Sequence, residues 1–78
     1  MKNIEFYGAN WCPYCVQLRF ALDKEDIPYE YRSVDDAENE KLMLQATDGR
    51  YLIPTVVVDG KAMQNPPLAM VKQAIHDL

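Results

Sequence analysis

Residues 3–7 alternate, with Ile4 and Phe6 on one side and Glu5 and Tyr7 on the other, a pattern that predicts a short strand. Gly8, Ala9, Asn10 and Trp11 then read as a loop. Pro13 stands where the first turn of a helix tolerates it, because the N–H it lacks would have had no intrahelical partner. A helix is expected over residues 13–25, with Cys15, Leu18 and Leu22 on one face and Val16 and Phe20 on nearly the opposite face. Apolar residues on two sides imply packing against more than one neighbour. Ile27-Pro28 ends this helix, since the residue before a proline is disfavoured in helical conformation.

Residues 29–34, Tyr-Glu-Tyr-Arg-Ser-Val, alternate and carry aromatics, so they read as a second strand. Asp35 or Asp36 caps a second helix over residues 37–47, with Asp35 and Glu38 spaced as a capping box and Gly49 as its C-cap. Residues 55–58 are a β-branched run suited to a buried strand. Asp59-Gly60 is a two-residue hairpin turn, from which residues 61–64 return antiparallel. Asn65 reads as the cap of a last helix with Pro66 at its first position, and Leu68, Val71, Ile75 and Leu78 repeat at helical spacing. The order β-α-β-α-β-β-α begins with a parallel pair joined by a right-handed crossover and ends with an antiparallel hairpin. The expected class is α/β, a mixed four-stranded sheet flanked by three helices, in a single domain over residues 1–78.

A chain of 78 residues has room for one core. Its two cysteines are three positions apart, and a bond between them would close a tiny loop and constrain little of the unfolded chain. The net charge of −4, with no basic run, argues against nucleic acid or an anionic membrane as partner. The stretch Met1-Lys2-Asn3-Ile4-Glu5-Phe6 meets a charge almost at once and shows no apolar signal core. No apolar run approaches the ~18 residues of a spanning helix. These features lead to the expectation of a cytoplasmic monomer. In that compartment a lone Cys-x-x-Cys is more often redox or metal chemistry than a structural bridge.

Trp11-Cys12-Pro13-Tyr14-Cys15 lies between the first strand and the first helix. Disulfide exchange needs a thiolate, and a helix N-terminus offers unpaired N–H groups and the positive end of the helix dipole. Cys12, just before the first turn, is therefore expected to be the nucleophile. Cys15, one turn further on with Leu18 and Leu22, is expected to be shielded, with a higher pKa, and to resolve a mixed disulfide. Pro13 and Tyr14 would hold the turn and tune the potential. A self-contained zinc site wants four ligands, whereas the chain offers two cysteines and His76 at the far end of the last helix. A binding module, with Cys12 ligating an iron–sulfur cluster between two subunits, is the alternative function. A second signal is Ile53-Pro54-Thr55, where proline begins a strand, the position at which its missing donor is tolerated. The plain alternative is an ordinary loop proline with a trans bond.

Cys-Pro-Tyr-Cys at positions 12–15, Pro54 and the element order together resemble the glutaredoxin family over nearly the whole chain. The resemblance implies the thioredoxin-like fold and a dithiol oxidoreductase in which Cys12 takes the thiol moiety and Cys15 resolves. It also implies a cis Pro54 and an Ile53 backbone that hydrogen-bonds the cysteinyl part of a ligand. Glutathione-using members usually carry a glycine pair and aspartates at the start of the last helix. Here the stretch is Met63-Gln64-Asn65-Pro66-Pro67, with neither feature and with two prolines that remove N–H donors. Asn65 remains to touch a ligand. Ile-Pro-Thr-Val, then Asp-Gly, then a short strand into Gln64-Asn65-Pro66 is similar to the mycoredoxin branch, which acts on the sugar-based thiol mycothiol, and Trp11 fits that branch too. A further branch donates electrons to ribonucleotide reductase, but its usual Trp-Ser-Gly-Phe segment is absent. The resemblance thus implies glutathione or mycothiol as co-substrate, no tightly bound cofactor, and disulfide-containing proteins as partners. The candidate binding residues are Trp11, Pro13, Tyr14, Arg50, Ile53, Pro54, Gln64 and Asn65. Arg50 would meet a ligand carboxylate, the bland alternative being a solvated arginine at a helix end. Tyr7, Trp11 and Tyr14 are expected to form an apolar lip. Tyr29, Tyr31 and Tyr51, with Met43, Met63 and Met70, are expected to serve packing.

Overall fold

The computed structural model describes residues 3–76. The elements are β1 (Ile4–Gly8), α1 (Pro13–Lys24), β2 (Glu30–Ser33), α2 (Ala37–Ala46), β3 (Thr55–Val58), β4 (Lys61–Gln64) and α3 (Leu68–His76). The sheet order is β2-β1-β3-β4. β1 runs parallel to β2 and antiparallel to β3, and β3 runs antiparallel to β4. This is the expected thioredoxin-like arrangement. Among the described residues no helix is long and apolar enough to cross a membrane.

The register sets the core. Phe6 pairs with Tyr31 on one side and Val56 on the other, and Val56 with Met63, so these side chains share one face of the sheet. α1 and α3 pack on each other and α3 on β3, while α2 packs on β1 and β2. Phe6, Leu22, Met43, Val56 and Val71 are fully buried. β3 is buried at all four positions, as its unbroken β-branched run implies. Asp59 and Gly60 both have positive φ, 49° and 88°, the geometry a two-residue hairpin turn requires.

Several boundaries differ from expectation, each for a local reason. Gly8 is the last residue of β1, held in the ladder by pairing with Ser33 and by its carbonyl accepting from Val34 N–H at 2.9 Å. α1 closes before Ile27-Pro28. Asp26 turns left-handed at φ 57°, and Ile27 N–H donates to the Leu22 carbonyl at 3.0 Å, so a hydrogen-bonded C-cap stops the helix. Asp36, not Asp35, caps α2, its Oδ1 accepting from Glu38 N–H at 2.9 Å. The Asp35–Glu38 box does not form because the Asp35 carboxylate is turned toward Trp11. At the other end of α2, Asp48 takes the left-handed position (φ 61°), and Gly49 follows it with its N–H on the Leu44 carbonyl at 2.7 Å.

Two expectations fail outright. Asn65 does not cap the last helix. It has φ 46°, and its N–H donates to the Pro54 carbonyl at 2.6 Å. α3 begins three residues later, with the Pro67 carbonyl accepting from Met70 and Val71 N–H. Val16 and Phe20 do not find a second neighbour. They are 50% and 69% exposed, because α1 buries only the stripe of Cys15, Leu18 and Leu22. Met70 is likewise exposed, whereas Met43 and Met63 are buried. Leu78 lies outside the described residues.

Gly8 has no room for a side chain. A Cβ there would sit 2.8 Å from Phe6 Cε1 and 2.9 Å from Cys15 Sγ. Gly8→Ala is therefore expected to destabilise the protein by about 1–3 kcal/mol, the usual cost of overpacking. The urea midpoint reports it, and an unchanged midpoint would contradict the close approach.

Candidate active site

The turn from β1 into α1 builds the site. Cys12 is the N-cap of α1, with extended backbone angles (φ −94°, ψ 113°), and its Sγ accepts from Cys15 N–H at 3.4 Å. Its own N–H donates to the Ala9 carbonyl at 3.2 Å, which closes the turn, and its carbonyl accepts from Val16 N–H at 3.0 Å. The sulfur occupies the place that a serine or aspartate oxygen usually takes at a helix start. It faces backbone N–H groups of the first turn and the positive end of the helix dipole. Pro13 fills the first helical position, as expected.

Cys15 is fully buried one turn further on, and both cysteines are free thiols. Burial pushes the Cys15 thiol up to about 12, with its hydrogen bond to Cys12 adding to the rise, while a hydrogen bond with the Ala9 backbone and the charge of Arg19 act the other way. Both thiols are buried, Cys12 at the helix start and Cys15 one turn behind it.

Trp11 and Tyr14 flank Cys12 and are 63% and 64% exposed. The Trp11 indole N–H donates to Asp35 Oδ1 at 3.1 Å, pinning the ring to the turn between β2 and α2. Tyr7 does not join this lip, because it points into the sheet packing and is buried. Tyr51 does come close. Its phenol is pushed up first by burial, then by Glu40 and Asp35, and also by Cys15 and Cys12. Sequence reasoning assigned it to packing, and its only signal was its place three residues before Pro54.

The Ile53–Pro54 peptide bond is cis. Pro54 is fully buried and Ile53 half-buried. Among the described residues no hydrogen bond occupies the Ile53 N–H or carbonyl. Thr55 pairs with Tyr7, which sets this peptide beside the end of β1 from which the Cys12 turn departs. The bond from Asn65 N–H to the Pro54 carbonyl ties the segment after β4 to the same place. Arg50 and Gln64 share a groove of about 340 Å³ with Ala46, Thr47, Asp48 and Ala62. The structure brings these two residues together, but neither cysteine is among the groove's described walls. No group of three or more His, Cys, Asp or Glu side chains able to hold a metal ion occurs among the described residues.

A glutaredoxin family model matches residues 4–63. The chain belongs to the glutaredoxin family. As a member it is a glutaredoxin-like thiol–disulfide oxidoreductase. It is 36% identical to mycoredoxin 1 of Corynebacterium glutamicum in an alignment covering 100% of this chain and 99% of that protein, consistent with the mycoredoxin branch. The structure of the thioredoxin-like protein BC3987 superposes with a TM-score of 0.82 at 32% identity, over 92% of this chain and 99% of that one. A glutaredoxin from Archaeoglobus fulgidus shares the fold, with a TM-score of 0.79 at 24% identity, over 99% of this chain and 89% of that one.

The burial of Cys15 in this glutaredoxin has a direct chemical consequence. At pH 8 a thiol near 12 is ionised to about one part in ten thousand. In the Cys12→Ser protein, which removes the contribution of Cys12 but leaves the burial, iodoacetamide should alkylate Cys15 at least about tenfold more slowly than an ordinary thiol, with unfolding restoring the usual rate. Alkylation at the ordinary rate in the folded protein would contradict this.

Proposed function

We propose that this glutaredoxin reduces protein disulfides and mixed disulfides between proteins and a low-molecular-weight thiol, with Cys12 attacking and Cys15 resolving, and that mycothiol is the thiol it serves best. The observation that carries the division of labour is the placement of Cys12 Sγ as the helix cap, with Cys15 buried behind it. The Cys12 thiolate attacks the small thiol's sulfur in a mixed disulfide. The sulfur–sulfur bond breaks, and the protein thiolate leaves with the electron pair and takes a proton from solvent. The small thiol, now disulfide-bonded to Cys12, is removed in one of two ways. A second low-molecular-weight thiolate attacks that small thiol's sulfur, forming the low-molecular-weight disulfide, and Cys12 leaves as a thiolate. Alternatively, Cys15 loses its proton and attacks Cys12 Sγ, which releases the small thiol and leaves a Cys12–Cys15 disulfide. The cysteine pair then carries the oxidation until a reductant supplies two electrons.

Around this centre, Trp11 and Tyr14 offer exposed rings to the incoming disulfide, and Pro13 fixes the turn. The open backbone of Ile53 beside cis Pro54 would take the cysteinyl part of the ligand. Arg50 and Gln64 would hold its polar remainder in their shared groove. Asn65 is held near by the Pro54 carbonyl. The preference for mycothiol is supported by the start of α3. Pro66 and Pro67 carry no N–H, Pro66 is buried, and no aspartate lies between Gly60 and Leu68 to bind an α-amino group. The whole-length likeness to mycoredoxin 1 supports the same reading. The reading keeps the expectation of a cytoplasmic monomer.

Cys12→Ser should abolish turnover, and Cys15→Ser should spare exchange with a small thiol while losing direct reduction of protein disulfides. Turnover of mixed disulfides of glutathione and of mycothiol, each with its own reductase, tests the choice of thiol. Mycothiol should turn over faster; equal and fast glutathione turnover would defeat that part, and full activity of Cys12→Ser would defeat the whole.

A further inference from the structure

The loop that delivers Cys12 is gripped by residues that the redox motif does not include. Asn10, two positions before Cys12, accepts from the Tyr31 hydroxyl at 3.0 Å and from Arg19 Nη1 at 3.3 Å. The Arg19 guanidinium lies 3.7 Å from the centroid of the Tyr31 ring. Its Nε donates to the Tyr29 hydroxyl at 3.4 Å, and that hydroxyl donates to Asp23 Oδ1 at 2.9 Å. Both tyrosine rings lean on Phe6, with centroids 5.5 and 6.0 Å away. Phe6 and Cys15 Sγ in turn converge on the same spot above Gly8. Phe6 therefore stands between the space that Cys15 Sγ borders and the two tyrosines that fix the guanidinium.

Arg19 follows Cys15 by four residues, so the two share a helix face. Long helical side chains lean toward the N-terminus, and the bond to Asn10 carries the guanidinium in that direction, toward the end of α1 where both cysteines lie. Stacking on Tyr31 desolvates one side of the cation, and a partly desolvated charge acts more strongly on its neighbours than one in bulk water.

We infer that Arg19 is a positioning residue for the resolving step, clamping the Asn10–Trp11 loop and holding a positive charge on the helix face that carries the resolving thiol. This rests on Cys15 being that thiol. In the step, Cys15 gives its proton to solvent and its Sγ bonds to Cys12 Sγ. The bond from Cys12 to the small thiol breaks, and that thiol leaves with the electron pair and collects a proton. Cys15 carries negative charge just before it attacks, and again whenever an incoming thiolate opens the Cys12–Cys15 bond at Cys12. Cys12, Tyr31 and Tyr51 also act on Cys15. Each of these becomes negative on ionising, so within this set Arg19 alone favours the Cys15 thiolate.

The test is the rate at which reduced protein, loaded at Cys12 with glutathione as the probe thiol, forms its Cys12–Cys15 disulfide, followed by acid quench and mass analysis. Arg19→Gln should slow this step roughly two- to fivefold at low salt, the effect of one partly screened charge. Arg19→Lys should keep most of the rate, and the gap between Gln and wild type should narrow in about 1 M salt, since the guanidinium is only partly desolvated and salt still reaches its open side. A Gln variant as fast as wild type would overturn the inference. So would a Lys variant as slow as Gln with a gap that ignores salt, which is the signature of a purely structural clamp. If the Gln variant does not fold, the wild-type rate over the same salt series decides, since a rate independent of salt would also overturn it. A wild-type protein that forms no Cys12–Cys15 disulfide would instead remove Cys15 as resolving residue, and the role of Arg19 with it.

Discussion

The first turn of α1 can lie against the end of β1 only because Gly8 carries no side chain, where a Cβ would strike both Phe6 and Cys15. Everything distinctive about the site follows from that close approach. It buries Cys15 completely and makes its thiol costly to ionise. It also sets Cys12 at the mouth of the helix, where the sulfur caps backbone donors. One steric constraint thus places one thiol at the helix start and the other buried directly behind it. The cis Ile53–Pro54 peptide completes the arrangement from the neighbouring strand, since the pairing of Thr55 with Tyr7 places it beside the same end of β1.

The fold was readable because each element carries a pattern that local physics enforces. Alternation in β1, the β-branched run of β3, the Asp59-Gly60 turn and the Cys15-Leu18-Leu22 stripe all became what their spacing implied. Readings failed where one residue had two possible partners and the folded chain chose the distant one. Asp35 was free to cap α2 but bonds Trp11, and Asn65 was free to cap α3 but bonds Pro54. No periodicity reveals that choice, because it is settled by elements far apart in sequence. Val16 and Phe20 failed differently. A periodic apolar residue implies a neighbour, and a sheet this small has none to offer the outer side of α1.

The candidate site divides in the same way. Cys12, Pro13 and Cys15 were evident from a contiguous motif. The residues that hold the motif in place, Asn10, Arg19, Tyr31 and Asp35, are scattered over a loop, a helix, a strand and a turn. Nothing in their spacing joins them until the chain folds. The groove of Arg50 and Gln64 was half anticipated, since both were singled out for a ligand but not as neighbours. Membership of the glutaredoxin family fixes the type of chemistry, and the prolines at the start of α3 bear on which small thiol enters it.

The assignment of attack to Cys12 and resolution to Cys15 is tested most directly by finding which sulfur first carries the small thiol. Reduced wild-type protein mixed with one equivalent of a mixed disulfide, acid-quenched within milliseconds and mapped by peptide mass, should show the adduct on Cys12 alone, followed by its conversion to the Cys12–Cys15 disulfide. An early adduct on Cys15 would contradict the account.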